Sequence, residues 1–489
     1  MQPTWPVRDG QFLIGELAST LAQGATRHRL TSIAVDTFGS VPVTEVRQAN
    51  GQLVGMMIGI PIDLDAGTLP ASLVVKATLT AENVDDWVEH HIYRLAGGFL
   101  FILDGAGHRR LYLDADGSRS AVFDPAARRA ASTAMTVLGP EEYKARLQSD
   151  LFRRLDVGHA GWFPADLTAH EGVMRLLCNH YLDLERWTVH RHWPTAPIAP
   201  AADPAAAMDA VLGRIGQTVS ALKAAGKVTL ALTAGADSRY ILCALRDQSP
   251  GLDFVTVAAP GARLDVDSAR ALADRCALSH DILPYRQASA AQAEAWHIRA
   301  GHCVTGGNKT MHPSVMSLLG HYFVGGLGGE VGRGFLWLGA GPETSIDACD
   351  IVVRLKLSLE PEVIEAVERW LAPIAHFDTL LKLDLAYLEL RMASWAFADA
   401  YANPIQTEVH PLISRANFTA MLSVPPELRR DGIALRQAMA RAWPELLAVP
   451  INRYGDWRDA AKRVTDTVSN PRRAFRKLAQ MALLRRRRV

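Results

Sequence analysis

The sequence predicts an α/β protein: a β-rich α+β first part, then a parallel sheet covered by helices, then a helical C-terminal part. Two observations carry this. Short β-branched runs between Gly, Pro and Asp breaks fill roughly the first 125 residues. From Val228 onward, continuous apolar runs alternate with helical patterns, the signature of parallel strands buried on both faces. A chain of 489 residues suffices for two or three domains and a sizeable core.

Taken in order, Ser32–Val35, Leu53–Ile60 and Leu73–Val75 read as strands. Gly97–Gly105 and Arg110–Asp114 flank the turn Gly105-Ala106-Gly107, and Ala121–Phe123 follows a second turn, which predicts an antiparallel meander. Residues 126–193 read as short helices and loops, with Ala126–Ala134 as helix or loop filler. The Pro/Ala segment after Trp193 has little periodicity and is the best linker, so the expected divisions are 1–193, a linker 194–206, 207–465 and a basic tail 466–489. Val211, Ile215, Val219 and Leu222 form the stripe of an amphipathic helix that Gly226 closes. Strands at Val228–Leu232, Phe254–Ala258, Asp281–Leu283 and His321–Val324 are expected, with helices over Ser238–Arg246 and Val266–Ala277. From about Ile351 the chain reads as mostly helical.

Lys and Arg total 52 against 51 acids, a net of +1, so a global basic field for nucleic acid is absent. Eight basic residues and no acid lie between Arg472 and Val489. This tail reads as a solvated segment, with weak contact to an anionic membrane surface or an acidic partner as the alternative. Cys178, Cys243, Cys276, Cys303 and Cys349 are widely spread and form no CxxC pair, which argues against a disulfide scaffold and for a reducing, cytoplasmic setting. Met1–Pro6 shows no pattern of a signal peptide, and the longest apolar run, Leu53–Ile62, is about half of a membrane span.

The chemistry concentrates where the first parallel strand ends and a helix begins, at Leu232-Thr233-Ala234-Gly235-Ala236-Asp237-Ser238. A helix N-terminus presents amide donors and about half a positive charge to an anion. Small residues at Ala234, Gly235 and Ala236 let backbone approach a phosphate, and Ser238 adds a hydroxyl. Asp237 repels phosphate directly, so its natural role is to hold a bridging Mg²⁺. The alternative is an ordinary strand–helix turn with Asp237 or Ser238 as N-cap. Neither a Walker A pattern nor a GxGxxG fingerprint is present.

Thr233–Ser238 resembles the SGGxDS pyrophosphate loop of the asparagine synthetase-like family, and Arg239 follows it as in a DSR variant. Val324–Gly334 resembles the family's second, Gly-rich motif, with Glu330 matching its final Glu. Gly97–Asp104 and Arg110–Asp124 are similar to the glutaminase-like domain that precedes the synthetase domain, and Asn179–Asp183, Trp193-Pro194, His410–Leu412 and Val424–Leu428 to flanking parts. The resemblance implies an Ntn-like β-sandwich followed by an adenine-nucleotide α-hydrolase-like synthetase domain. It implies an ATP- and Mg²⁺-dependent ligase that turns a carboxylate into an acyl-adenylate, releases pyrophosphate and lets an amine attack. Leu232, Thr233, Ala234, Gly235, Ala236, Asp237, Ser238, Val257 and Ala258 would bind the nucleotide; Asp237 and Glu330 the metal; Glu330, Arg333 and Arg436 would act at the reacting centre.

The chain departs from the family pattern at definite points. Residue 2 is Gln2 and the first cysteine is Cys178, so cysteine-dependent glutamine hydrolysis is not expected. Gly329 stands for the second motif's Asp and Gly326 for an earlier Glu. No Lys lies near Arg429–Arg436, where the family neutralises the adenylation transition state, which leaves Arg436 as the candidate cation. Ala234 replaces a Gly, at a cost of about 1 kcal/mol if the position needs positive φ. Arg333 reads equally as an anion clamp or a loop-anchoring salt bridge, and Glu330 as catalytic or as a first-turn helix residue. The pairs His90/His91, His190/His192 and His297/His302 are not expected to bind metal, the last because five residues do not share a helix face. Lys309 reads as a solvated loop residue, and Trp395, Arg391 and Tyr401 as core. A catalytically inactive scaffold of the same fold, or a ligase acting on a nucleotide-linked acceptor, are the competing expectations.

Overall fold

A computed structural model of the chain describes residues 5–159, 161–305, 308–402 and 407–460. Gln2, the basic tail and the side chain of Trp395 lie outside the described residues.

The first part contains β1 (Phe12–Glu16), β2 (Ala25–Arg29), β3 (Ile33–Phe38), β4 (Val43–Gln48), β5 (Leu53–Gly59), β6 (Ser72–Val75), β7 (Phe99–Gly105), β8 (His108–Leu113), β9 (Ala121–Asp124), β10 (Arg129–Ala131), β11 (Met174–Leu176), β12 (His180–Asp183) and β13 (Thr188–Arg191). They form a six-stranded sheet, β11-β9-β10-β1-β3-β2, and a seven-stranded sheet, β13-β12-β8-β7-β5-β4-β6. Period-2 alternation explains why the sheets stack. Leu100 and Ile102 of β7 point inward to meet Phe12, Ile14 and Val35, while Phe99, Phe101 and Leu103 point outward. The outward face is covered by α1 (Val84–His91) through Trp87 and Val88. The other outer face carries α2 (Ala134–Val137) and α3 (Pro140–Ala145), with α4 (Ser149–Arg154) following.

The expected meander is corrected at its third strand. β7 and β8 pair as expected, but β9 crosses to the other sheet. The crossing is made by Asp114, whose carboxylate accepts from the amides of Phe99, Asp116, Gly117, Ser118 and Arg119. An Asx turn of that kind folds the chain through a corner instead of a hairpin. The region 126–193 holds four strands among its helices, and β10 lies within the supposed filler. These strands have three or four residues each, too short to show a period.

Helix α5 (Pro204–Ala225) begins inside the segment expected as linker, with Pro204 at its first position and Asp203 accepting from the amides of Ala205 and Ala206. Its stripe Val211, Ile215, Val219 and Leu222 is fully buried. There follow β14 (Val228–Ala231), α6 (Ala236–Ala244), β15 (Asp253–Val257), α7 (Arg263–Cys276), β16 (Ser279–Leu283), α8 (Ala290–Arg299), β17 (Tyr322–Val324) and, far along the chain, β18 (Thr407–Val409). The sheet order is β16-β15-β14-β17-β18 and every pairing is parallel. β18 is a three-residue strand within the end of the chain, which is otherwise mostly helical as expected. Sheet order reverses at β14, so a topological switch point lies between β14 and β17, where open α/β sheets bind ligands. Among the described residues no helix is long and apolar enough to cross a membrane.

The two parts share one hydrophobic core that runs from Ile60, Trp162 and Phe163 to Trp296, Val304 and Leu390. A buried polar knot joins them. Glu389, 0% exposed, lies in a π-helical turn, Ala386–Met392. It accepts from Asn179 Nδ2 at 2.9 Å, from Arg191 Nη1 and Nη2 at 2.8 and 2.7 Å, and from Trp370 Nε1 at 2.6 Å. Burial alone would raise its pKa, but Arg191 and the other donors outweigh it and hold the carboxyl below its ordinary value. Glu389→Gln should lower the unfolding free energy at pH 7 by about 3–5 kcal/mol, because Arg191 is left buried and unpaired. The native carboxylate's contribution is present above the ordinary carboxylate pKa and is lost as pH falls through the depressed one. The gap between wild type and variant, measured by denaturant titration, should therefore narrow in acid.

Candidate active site

β14 delivers the phosphate-loop candidate to the carboxyl edge of the sheet. Leu232 is held on both sides, its N–H donating to Val255 O at 2.9 Å and its carbonyl accepting from Thr256 Oγ1 at 2.6 Å. Thr233, Ala234 and Gly235 then turn into α6. Gly235 is the N-cap with φ −68°, and Ala234 is not among the positive-φ residues, so Ala in place of Gly carries no backbone strain. The N-cap alternative is corrected too: Asp237 and Ser238 lie in the first turn of α6, and Gly235 caps it without a side chain.

Side chains hold the loop's backbone. The Ala234 N–H donates to Asp265 Oδ1 at 3.0 Å, and the Gly235 N–H to Thr233 Oγ1 at 3.1 Å, which is itself 2.8 Å from Ser238 Oγ. The Ala234 carbonyl accepts from the Asn452 amide at 2.8 Å. Arg239, 0% exposed, donates to the carbonyls of Ala234, Leu446, Val449 and Pro450. It is an anchor that pins the segment Leu446–Asn452 beneath the loop.

The loop after β17 brings the second motif against the first. Arg333 reaches Asp237 through two bonds, Nη1–Oδ1 at 2.9 Å and Nη2–Oδ2 at 3.0 Å, and meets Glu330 Oε1 at 2.7 Å. The ion-pair alternative for Arg333 is thus realised, and Glu330 sits at the N-cap of a short 3₁₀ turn, Val331–Arg333. Burial first, then the Glu330 carboxylate, pushes Asp237 up to about 8 against the pull of Arg333. Glu330 Oε2 is buried without a hydrogen-bond partner among the described residues. The two glycines have a geometric reason. A Cβ at Gly329 would lie 2.1 Å from Asp237 Oδ1, and one at Gly326 would lie 2.8 Å from the Ser238 amide nitrogen. Acids at these positions would displace the carboxylate and the first turn of α6.

Sequence order and space agree for most candidates. Thr233 to Ser238, Glu330 and Arg333 converge at the switch point. Val257 ends the neighbouring strand β15, two residues beyond the Ala231↔Val255 pair, and Ala258 follows it, its N–H donating to Leu283 O at 2.9 Å. Arg436 is not brought in: it is exposed on the helix Ile433–Ala442 and donates to Asp431 O at 2.6 Å. Arg429 touches the second loop instead, donating to Val331 O at 2.8 Å and to Asp384 Oδ2 at 2.5 Å.

Four residues near the site were not anticipated as functional. Glu408 lies in β18 and His410 just after it, both beside Gly325, whose added Cβ would lie 2.8 Å from Glu408 Oε1 and 2.6 Å from His410 Cε1. Burial pushes Glu408 up to about 7. Tyr387 is buried and, after burial, feels the Glu330 charge. Arg391 packs over the rings of Trp162 and Phe335 at 5.0 and 5.8 Å. A three-residue strand and a π-turn leave no periodic signal, so only Glu and His spaced two apart hinted at the first pair.

His297 and His302 lie side by side although five residues apart in the chain. The helix ends at Arg299, so the one-face spacing rule does not govern them, and their rings come within 4.4 Å. No family model matches the chain, and no curated protein matches it.

Two outcomes test the electrostatics. Arg333→Met should destabilise the protein by about 3–5 kcal/mol at pH 9, where Asp237 is ionised, and by less at pH 6, where Asp237 keeps its proton. Glu408 is protonated in the fold well above its ordinary pKa, so its contribution is present below about 4.5 and lost as pH rises through about 7. Glu408→Gln should therefore stabilise the protein at pH 8, by on the order of 2 kcal/mol, and do little at pH 4, as read from thermal melts.

Proposed function

We propose that the protein is an ATP-dependent carbon–nitrogen ligase of the asparagine synthetase-like kind, forming AMP and pyrophosphate and lacking its own glutaminase. The observation that carries this is the meeting of Asp237, from the first turn of α6, and Glu330, from the loop after β17, at the switch point of a parallel sheet ordered β16-β15-β14-β17-β18. The helix–sheet–sheet–helix layering of the first part supports the Ntn-like reading. The helical segments packed beyond the second loop are where a small-molecule or peptide carboxylate and an amine acceptor would enter, as in macrolactam formation or natural-product and polysaccharide tailoring.

In this reading Leu232, Val257 and Ala258 line the adenosine side, and Thr233–Ser238 at the start of α6 receive the phosphates. A carboxylate oxygen of the substrate attacks the α-phosphorus, the α–β P–O bond breaks, and pyrophosphate leaves into the loop. The amine nitrogen then attacks the acyl carbon, AMP departs, and Glu330 takes the amine proton. The residues present suit Mg²⁺: two adjacent carboxylates and the unpartnered Glu330 Oε2. Mg²⁺, when bound there by Asp237 and Glu330, supplies charge neutralisation for the phosphates. Arg333 must then release Asp237, which frees its guanidinium to clamp phosphate or carboxylate, a role that the exposed Arg436 is badly placed to fill.

The same salt bridge supports a second reading, a scaffold that keeps the fold without turnover. Arg333 already occupies both Asp237 carboxyl oxygens, and Asp265 already takes the Ala234 amide. Calorimetric titration of MgATP into wild type and Asp237→Ala separates the two. The ligase reading expects binding that weakens at least about tenfold, or 1.4 kcal/mol, in the variant, with pyrophosphate release once a carboxylate is supplied. Absence of binding in both proteins would overturn it in favour of the scaffold.

A further inference from the structure

We infer that Glu294, His297 and His302 form a binding site for a divalent transition-metal ion of the zinc class, apart from the candidate active site. One ligand atom from each of the three residues can be chosen so that all lie within 4.8 Å of one another. The placement follows from the backbone. Glu294 and His297 are three apart on α8 and share a face. After Arg299 the chain reverses through Gly301, φ +61°, and His302, φ +53°, which returns the His302 ring to that face.

The hydrogen bonds around the cluster prepare a nitrogen for a cation. The Tyr143 hydroxyl donates to Ile298 O at 3.2 Å and lies 2.7 Å from His302 Nδ1. In the tautomer in which the hydroxyl keeps that bond and accepts from Nδ1–H, the lone pair of His302 is on Nε2. That nitrogen faces Glu294 Oε1 at 3.8 Å. In that tautomer the Nε2 lone pair and the Glu294 carboxylate face one another as a ligand pair for a cation, and a ligating histidine held through its other nitrogen is the usual second-shell arrangement. Thr305 Oγ1, 3.2 Å from His297 Nε2, is a hydroxyl that can donate or accept as the tautomer requires.

The donor set selects the ion. Two imidazoles and one carboxylate suit Zn²⁺ or Co²⁺, whereas Mg²⁺ and Ca²⁺ prefer all-oxygen shells. Zinc–ligand distances of about 2.0–2.2 Å require the three atoms to draw in, which the half-exposed Glu294 side chain permits. Its exposed side also leaves a fourth position for water. The site would tie together the two parts of the molecule. Tyr143 and Phe152 come from the helices beside the sandwich, and the turn that carries His302 continues into Cys303 and Val304, which bond to Phe163 and Trp162.

The test uses the full chain after chelator treatment, titrated with Zn²⁺ by calorimetry and with Co²⁺ by visible absorption. One equivalent of Co²⁺ with d–d bands and a rise in melting temperature with Zn²⁺ are expected. Glu294→Gln, at an exposed position, and His302→Gln should each weaken binding at least about tenfold, and Tyr143→Phe about tenfold, with unchanged circular dichroism. Asp237→Asn should leave this affinity unchanged, which separates the site from the Asp237–Glu330 cluster at the start of α6. Absence of Zn²⁺ binding by the wild type at micromolar concentration, wild-type affinity in both Glu294→Gln and His302→Gln, or loss of binding in Asp237→Asn would each overturn the proposal.

Discussion

Glu389 is a carboxylate with no exposed surface, and the joining of the two halves of the molecule turns on how it is satisfied. A lone buried charge would be prohibitive, so Asn179, Arg191 and Trp370 must all be in place at once. Asn179 and Arg191 belong to the last strands of the sandwich and its edges, Trp370 to the helical part. Docking in any other register would strand one of these groups. The π-turn that carries Glu389 also carries Tyr387 and Arg391, whose environment includes Glu330. One irregular turn therefore faces the interface with one residue and the candidate active site with two others.

The carboxyl edge of the parallel sheet imposes the second constraint. β14 and β17 are neighbours, so their exit loops must lie side by side, whatever the chain does in the many residues between them. Close packing of those loops needs glycine where backbone meets backbone, as at Gly326 against Ser238. It also places Asp237 and Glu330 together, and two carboxylates in a shielded space need a proton, a cation or a guanidinium. Arg333 meets that need in this structure. The same physics makes the cluster responsive to an ion or an anion that competes for either partner.

Much of this was legible from residues alone where the signal was long or chemically singular. The stripe of α5, the continuous apolar strands and the Thr233–Ser238 and Gly325–Arg333 loops were all readable, because burial on both faces and close backbone approach leave compositional traces. The short strands β10 to β13 and β18 were not, because three or four residues carry no period. The crossing of β9 to the opposite sheet was invisible, since an Asx turn made by Asp114 and a hairpin turn look alike in sequence. The proximity of His297 to His302 is not legible from their spacing, because the helix ends at Arg299 between them.

The sequence by itself determined the α/β class, the alternation that builds the parallel sheet, and the positions at which acids and glycines would gather at its edge. These follow from local propensity and hydrophobic pattern, which act over a few residues. Tertiary structure alone decided which distant groups meet: Arg333 on Asp237, Arg239 under the loop with Leu446–Pro450, Glu389 among its donors, and Arg436 facing solvent. Those pairings depend on strand order and on the demand that every buried charge find a partner, and neither is encoded within any single stretch of the chain.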